Sequence, residues 1–269
     1  MTRTQLGGFT IDQVVELARP FLPIRDFFPD ITEEMVATIR PELPPGHLTD
    51  DDVMWLSFHS YIVRTGRYNI VVDTCCGNDK ERPSRPEFSH MQNDYLGALA
   101  RAGITAEEVD FVMCTHLHWD HVGWNTRLVD GRWVPTFPNA RYIMARREYE
   151  HWDEVYRSGV ESRHRNGFED SILPIIRAER AMLVDDDFEV DTGVWLEPCH
   201  GHSPGNVVIN VASEGHRGVL SGDVIHHLVQ LRYPELSPLP ADTDSNLSRR
   251  TRTAFIEKHA GAGTVLFPG

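Results

Sequence analysis

The stretch Cys114-Thr-His-Leu-His-Trp-Asp-His-Val-Gly-Trp-Asn125 decides how this chain is read. It sets His116, His118, Asp120 and His121 within six residues, directly after the apolar run Val109 to Cys114. A short apolar run of this kind is a buried strand, so the cluster falls where the strand ends and the chain turns. Imidazole nitrogens and a carboxylate oxygen are the donors that Zn²⁺ takes, with Fe or Mn as the other metals suited to them. His116 and His118 are two apart and in extended backbone point to one side. Asp120 and His121 follow where the chain bends and face a second point, so one segment can feed two adjacent metal ions. Burying four such groups without metal would leave several polar atoms unsatisfied, at about 1–3 kcal/mol each.

The chain has 269 residues, 41% hydrophobic and 25% charged, the balance of a globular protein with a sizeable core. Its formal net charge is -14 and no block of Lys and Arg stands out. A nucleic-acid partner would demand a basic face, so the expected partner is a small-molecule substrate, neutral or weakly charged, with no nucleic acid and no membrane, and a homodimer as the assembly to test. The first residues, MTRTQLGGFTIDQ, lack the apolar core of a secretory signal, and no stretch approaches the ~20 apolar residues of a membrane span. Cys75, Cys76, Cys114 and Cys199 form no disulfide framework, which makes a cytoplasmic location the default. Cys199 reads first as a small hydrophobe, with metal ligation as its rival.

Along the chain, residues 1–50 read as an irregular strap over the pocket mouth or as plain surface packing. Ile11 to Ala18 is expected to be a short helix stopped by Pro20, and Thr32 to Ile39 a helical turn or two. Val53 to Val63 and Tyr68 to Asp73 are two strands around a Gly-containing turn, with Asp73 placed to hold a ligand histidine from behind. Asn93 to Ala102 is a helix, and Thr105 to Glu108 a capping-box turn that delivers the chain into the strand before His116. Arg127–Val129 and Arg132–Val134 make a hairpin around Asp130-Gly131, followed by a strand at 141–144. Residues 145–182 form a helical insert: a helix over 146–157 and another over 168–180, interrupted by Pro174, both expected beside the pocket with most of their aromatics in the core. Asp191 to Leu196 is a strand, and the turn 197–205 carries His200 and His202 into the strand 206–211. Gly218 to Gly222 ends on Asp223. A helix over 245–259 and a strand over 264–267 finish the chain. Strands, helices and ligands at strand ends are an α/β arrangement, with two strand-rich halves suited to a sandwich.

His116, His118, Asp120 and His121, then Gly201-His202-Ser203-Pro204-Gly205, then Ser221-Gly222-Asp223 resemble the signature of the metallo-β-lactamase superfamily, in order and spacing over about residues 53–269. The resemblance implies the αββα sandwich, two mixed β-sheets flanked by helices, as one domain spanning 1–269. It implies a dinuclear zinc site, with His116, His118 and His202 on one ion, Asp120 and His121 on the other, and Asp223 bridging. His202 is preferred over His200 because it falls in the family's Gly-His-Thr/Ser-Pro-Gly turn. Family members with a full dinuclear site usually add one more histidine after the last strand. Here that position would follow Gly269, so the expectation is a truncated form, a weaker second site, or one completed by a water or another chain; His259, on a helix, is a poor substitute.

Two divalent ions sharing one water lower its pKa towards neutrality, and Asp120 can orient that nucleophile and pass a proton to the leaving group. The expected activity is metal-dependent opening of a small lactone or ester. The resemblance is nearest the branch of N-acyl homoserine lactonases and methyl-parathion-type hydrolases. In those lactonases a tyrosine three residues past the bridging aspartate supports the substrate carbonyl; here His226 takes its place and can donate a hydrogen bond to an oxyanion. Alternatives on the same site are an organophosphate triesterase, a glyoxalase II-like thioester hydrolase, a mononuclear iron dioxygenase, or a metal-binding protein of weak activity.

Overall fold

The apolar run before the ligand stretch forms the strand Phe111–Met113, with Val112 and Met113 fully buried. Parallel neighbours flank it on both sides, Asn69–Val72 and Arg141–Ala145. It is therefore an interior strand, which explains why its sequence lacks polar alternation. In a computed structural model, which describes residues 2–238 and 241–269, the strands in chain order are β1 (Thr2–Leu6), β2 (Phe9–Pro23), β3 (Val53–Arg64), β4 (Asn69–Val72), β5 (Phe111–Met113), β6 (Thr126–Val129), β7 (Arg132–Pro135) and β8 (Arg141–Ala145). Then come β9 (Ala181–Val184), β10 (Glu189–Asp191), β11 (Val194–Pro198), β12 (Val207–Ser213), β13 (His216–Gly222) and β14 (Thr264–Pro268). The helices are α1 (Ile24–Phe27), α2 (Glu33–Ile39), α3 (Tyr95–Arg101), α4 (Trp119–Val122), α5 (Arg146–Ser158), α6 (Arg165–Gly167), α7 (Leu173–Arg177), α8 (Val229–Arg232) and α9 (Ser245–His259).

The strands build a seven-stranded sheet, β1-β2-β3-β4-β5-β8-β9, a five-stranded sheet, β10-β11-β12-β13-β14, and the separate hairpin β6-β7. The two large sheets face each other across one apolar layer, in which Ile11, Val72, Met113 and Ile143 meet Leu196, Ile209, Val211 and Phe267. The other face of the first sheet packs on the helices through Tyr95, Leu99, Trp152 and Ile175. Phe255 of α9 covers Val208 and Val219 of the second sheet. The result is the expected αββα sandwich, each strand-rich half of the sequence supplying one sheet.

Three local expectations are corrected. Ile11 to Ala18 is not a helix but the middle of β2, a 15-residue strand paired antiparallel with β3. β-Branched Ile11, Val14 and Val15 suit that pairing, and tertiary contact with β3 overrides the weak helical period. Past Gln13 the strand loses β1 as a neighbour and becomes an edge, where Pro20 and Pro23 cost no ladder bond, and the register shifts accommodate them. Asp191 to Leu196 is a hairpin rather than one strand, with β10 and β11 turning at Gly193, and β9 was not foreseen. The helix expected over 168–180 begins at Arg165, passes through a π-type segment at Phe168–Ile172 and closes as α7; Pro174, without an N–H, sits in the first turn of α7.

Two buried clusters fasten the loops around the sheet ends. The Glu16 carboxylate accepts from the backbone of Cys76 (2.8 Å) and Gly77 (3.2 Å) and from Trp124 Nε1 (2.7 Å), tying β2 to the loop after β4. Asp170 accepts from Arg82 Nη1 (2.7 Å) and Lys80 Nζ (3.3 Å), and both cations are almost wholly buried. Lys80 also lies over the Trp133 ring at 3.8 Å, and burial pulls its pKa down to about 7 against the pull of Asp170. Removing one partner of such a buried cluster strands the others. Asp170→Asn should therefore cost about 3–5 kcal/mol in a denaturant titration, and an unchanged midpoint would show that the cluster carries no such constraint.

Candidate metal centre

Both sheets deliver polar side chains to the same end of the sandwich. β4 ends at Asp73 and β5 runs into Thr115 and His116; β11 and β12 are joined by the turn holding His202, and β13 ends beside Asp223. Asp73 takes a left-handed backbone conformation (φ 53°) and turns its carboxylate back across the strand ends. Its Oδ1 accepts from Thr115 N (2.8 Å), and its Oδ2 accepts from Thr115 Oγ1 (2.7 Å) and lies 2.9 Å from His121 Nδ1. Asp73 therefore orients His121 from behind, as its position after the strand led one to expect.

The predicted histidines converge. His202 Nε2 lies 3.2 Å from His116 Nε2, 2.9 Å from His118 Nδ1 and 3.2 Å from Asp223 Oδ2. Three imidazole nitrogens thus aim at one point in a buried site, although a single shared proton can satisfy only one such contact at a time. Tetrahedral zinc with bonds of 2.0–2.1 Å would space its donors about 3.3 Å apart, close to what is seen. His116, His118, His202 and Asp223 could hold one ion. The other oxygen of Asp223, Oδ1, lies 3.1 Å from His121 Nε2, so this carboxylate faces both halves of the cluster. Asp120, on α4 beside His121, is half-buried and lines the same cavity.

Charge is distributed unevenly among these groups. Burial pushes His116 and His118 well below the ordinary histidine value, and neighbouring imidazoles push the same way. Burial opposes the proton on His202 too, but Asp223 and Asp242 outweigh it and raise that histidine to about 9. For His121 likewise, Asp223 and Asp73 overcome burial and raise the pKa. Asp223 is held well below the carboxylate range, its own burial outweighed by His121, His226 and His202. His116 and His118 neutral and Asp223 ionised are the protonation states a divalent cation needs, whereas His202 and His121 would release their protons as it binds.

The sequence reading missed the two side chains that hold His202 in place. Asp242 Oδ1 lies 3.0 Å from His202 Nδ1, and its Oδ2 faces Ser237 Oγ and Arg252. Glu148, on the first turn of α5, is buried and accepts four hydrogen bonds: Leu117 N (3.1 Å), Trp152 Nε1 (2.7 Å), Ser203 Oγ (2.7 Å) and Gly205 N (2.8 Å). A Cβ at Gly205 would stand 2.3 Å from Glu148 N, so only glycine lets the turn come this close to the helix. In sequence, Glu148 and Asp242 are ordinary acidic residues among 40, and nothing local marks them. His164 was also missed; its ring stacks on His118 at 3.7 Å.

His200 stands apart, paired with Asp186 at 3.0 Å and absent from the cavity wall, which separates it from His202. Cys199 is buried among Val208, Val219 and Phe255, and His259 packs on Phe255. His226 lies in the site, its side chain 7% exposed and its Nε2 3.2 Å from Asp223 Oδ2, outside hydrogen-bond geometry. Above the cluster opens a cavity of about 320 Å³, walled on the apolar side by Phe21, Phe27, Leu56, Phe58 and Trp119. Phe21 and Phe27 come from the N-terminal segment, and Arg163 and His164 from the turn between α5 and α6.

The fold is shared with known proteins. The chain is 26% identical to an N-acyl homoserine lactonase of Bacillus cereus over 190 residues, 66% of this chain and 65% of that protein, so the match spans slightly less than two thirds of the relative. A crystal structure of a probable metal-dependent hydrolase from Staphylococcus aureus superposes with a TM-score of 0.80 at 17% identity, covering 98% of this chain and 89% of that one. A dizinc quorum-quenching lactonase, crystallised with a product, superposes with a TM-score of 0.75 at 20% identity, covering 99% and 89%. Among the described residues no helix is long and apolar enough to cross a membrane. Residues 54–268 match the metallo-β-lactamase superfamily along nearly the whole span that carries the sandwich and the histidine cluster, and this chain belongs to that superfamily.

Proposed function

We propose that this chain is a metal-dependent hydrolase that opens a small lactone or ester. The observation that carries the reading is the meeting of His116 Nε2, His118 Nδ1, His202 Nε2 and Asp223 Oδ2 at one buried point beneath an apolar cavity. Likeness to lactonases supports the substrate class. His116, His118 and His202 would hold one ion and Asp120 and His121 a second, with Asp223 facing both, zinc being the metal best matched to this donor set. Metal bound there supplies Lewis-acid activation of a water and of the carbonyl oxygen under attack.

The rest is work for the chain's own groups. Asp120, at the cavity wall, orients the attacking water and carries its proton towards the leaving alkoxide. His226, whose ring nitrogens have no hydrogen-bond partner among the described residues, donates from its ring to the oxygen that gains charge. Phe21, Phe27 and Phe58 hold the apolar part of the substrate and keep bulk water from the polar floor. No serine or cysteine nucleophile is needed. The four thiols are buried, and burial pushes each of them up, so none is poised as a thiolate.

Metal content coupled to a panel of lactones, aryl esters, phosphotriesters and thioesters tests the reading. Turnover of lactones or aryl esters that chelation abolishes is expected; one iron per chain with oxygen consumption would sink it. His116→Ala should remove metal and activity together, whereas His200→Ala should leave both near wild type. Equal, mild losses from the two would refute the ligand choice. Glu148→Gln puts an amide NH₂ where two donors now converge, so it should weaken metal binding roughly 10–100-fold, as loss of a ligand-orienting partner does. Metal titration of the purified variant checks this; unaltered affinity would mean that the two ligand loops hold their places without it.

A further inference from the structure

We propose that Arg85 and Arg163 bind a carboxylate on the substrate, so that the preferred substrates are esters or lactones carrying a negative charge a few bonds from the scissile carbonyl. The inference rests on the hydrolase reading above and narrows its substrate class. The chain as a whole is acidic, with a formal charge of -14, yet the wall of its cavity carries two guanidinium groups. The carboxylates in the same wall, Asp120 and Asp223, are the two placed among the metal donors.

The two arginines are mounted on one buried fixture. Arg85 sits on the loop between β4 and α3, and Lys80 and Arg82 of that loop both bind Asp170. Asp170 lies in the π-type segment that follows α6, a few residues past Arg163. The same segment is pressed on α4, since a Cβ at Gly167 would stand 2.7 Å from Trp119 Cβ. Both arginines are thus carried by segments that the buried ion cluster locks together. Arg85 stacks on Phe21 at 5.0 Å and meets Glu87 only at 3.6 Å; Arg163 Nε donates to His164 Nε2 at 2.8 Å. His164 in turn stacks on His118, which puts Arg163 one residue away from the metal cluster. Burial lowers the pKa of Arg163; Asp120, Asp223 and Asp242 oppose that, and Arg85 adds to it, as a like charge does at short range. Two guanidinium groups in the wall of one cavity, beside Asp120 and Asp223 that are given over to metal, offer donors matched to carboxylate geometry.

The test compares metal-loaded enzyme on 4-nitrophenyl hemisuccinate and on 4-nitrophenyl butyrate, in which a methyl replaces the carboxylate. The acid should be favoured about tenfold in kcat/KM, the size of one charge-assisted contact, and the preference should shrink at about 0.5 M salt. Arg85→Gln and Arg163→Gln should each lower the ratio of the two kcat/KM values, a readout independent of how much enzyme is active; Arg163→Lys should keep more of it than Arg163→Gln. A ratio of one or below in the wild type, or a ratio that neither Gln variant moves, overturns the proposal. Hydrolysis of neither these esters nor any lactone of the panel would refute the hydrolase reading instead, and wherever neither ester turns over, calorimetry on the metal-loaded protein decides this one. Succinanilic acid binding more tightly than butyranilide, with the advantage lost in both Gln variants, sustains it. No advantage, or an advantage both variants keep because metal alone grips the acid, overturns it.

Discussion

The Glu148 carboxylate is the contact on which the site depends. The His116–His121 stretch follows a strand of one sheet, and the His202 turn joins two strands of the other. Apart from one backbone bond, Val207 N to Thr115 O at 2.9 Å, nothing in the main chain of the described residues fixes the distance between those loops. Glu148 does, because its four hydrogen bonds reach Leu117, between two of the histidines, and Ser203 and Gly205, beside the third. A carboxyl group buried this deeply is tolerable only with its acceptor capacity used, and here both oxygens take two donors each. The apolar layer between the sheets supplies most of the burial, but hydrophobic contact is non-directional and cannot place a nitrogen to within a few tenths of an ångström.

A second constraint is electrostatic. Four imidazoles, those of His116, His121, His202 and His226, lie within 4 Å of one carboxylate, Asp223. His118 joins them through His202. Without metal such a cluster is frustrated: protons cannot satisfy every nitrogen, and burial opposes most of the charges that would. Divalent cations would resolve the conflict by taking the lone pairs of His116, His118 and His202 at one point and that of His121 at another. Asp73 and Asp242 stand behind His121 and His202 on the far ring nitrogens, which sets which nitrogen is free to face inwards. Around this core, the N-terminal segment and the α5–α6 turn line the cavity with aromatic and cationic groups, so its polar floor and its walls come from different parts of the chain.

Much was legible beforehand where one residue's neighbours in sequence are also its neighbours in space. His116, His118, Asp120 and His121 share a single turn, and Asp73, the hairpin at Asp130-Gly131, the capping box at Thr105 and the helix at Ser245–His259 are local as well. The failures were of the opposite kind. β2 looked helical because its apolar spacing is ambiguous and its prolines read as breakers; only pairing with β3 and an open edge past Gln13 make it a strand.

What the sequence by itself determined was the donor set, its spacing, the sheet-forming runs and the superfamily signature, because periodicity and motif spacing act over a handful of residues. Only the tertiary structure decided that Glu148 and Asp242 orient the cluster and that Arg85 and Arg163 face one cavity. Those outcomes depend on segments tens of residues apart meeting at the open end of the sandwich. There, distance and burial select among side chains that are identical on paper.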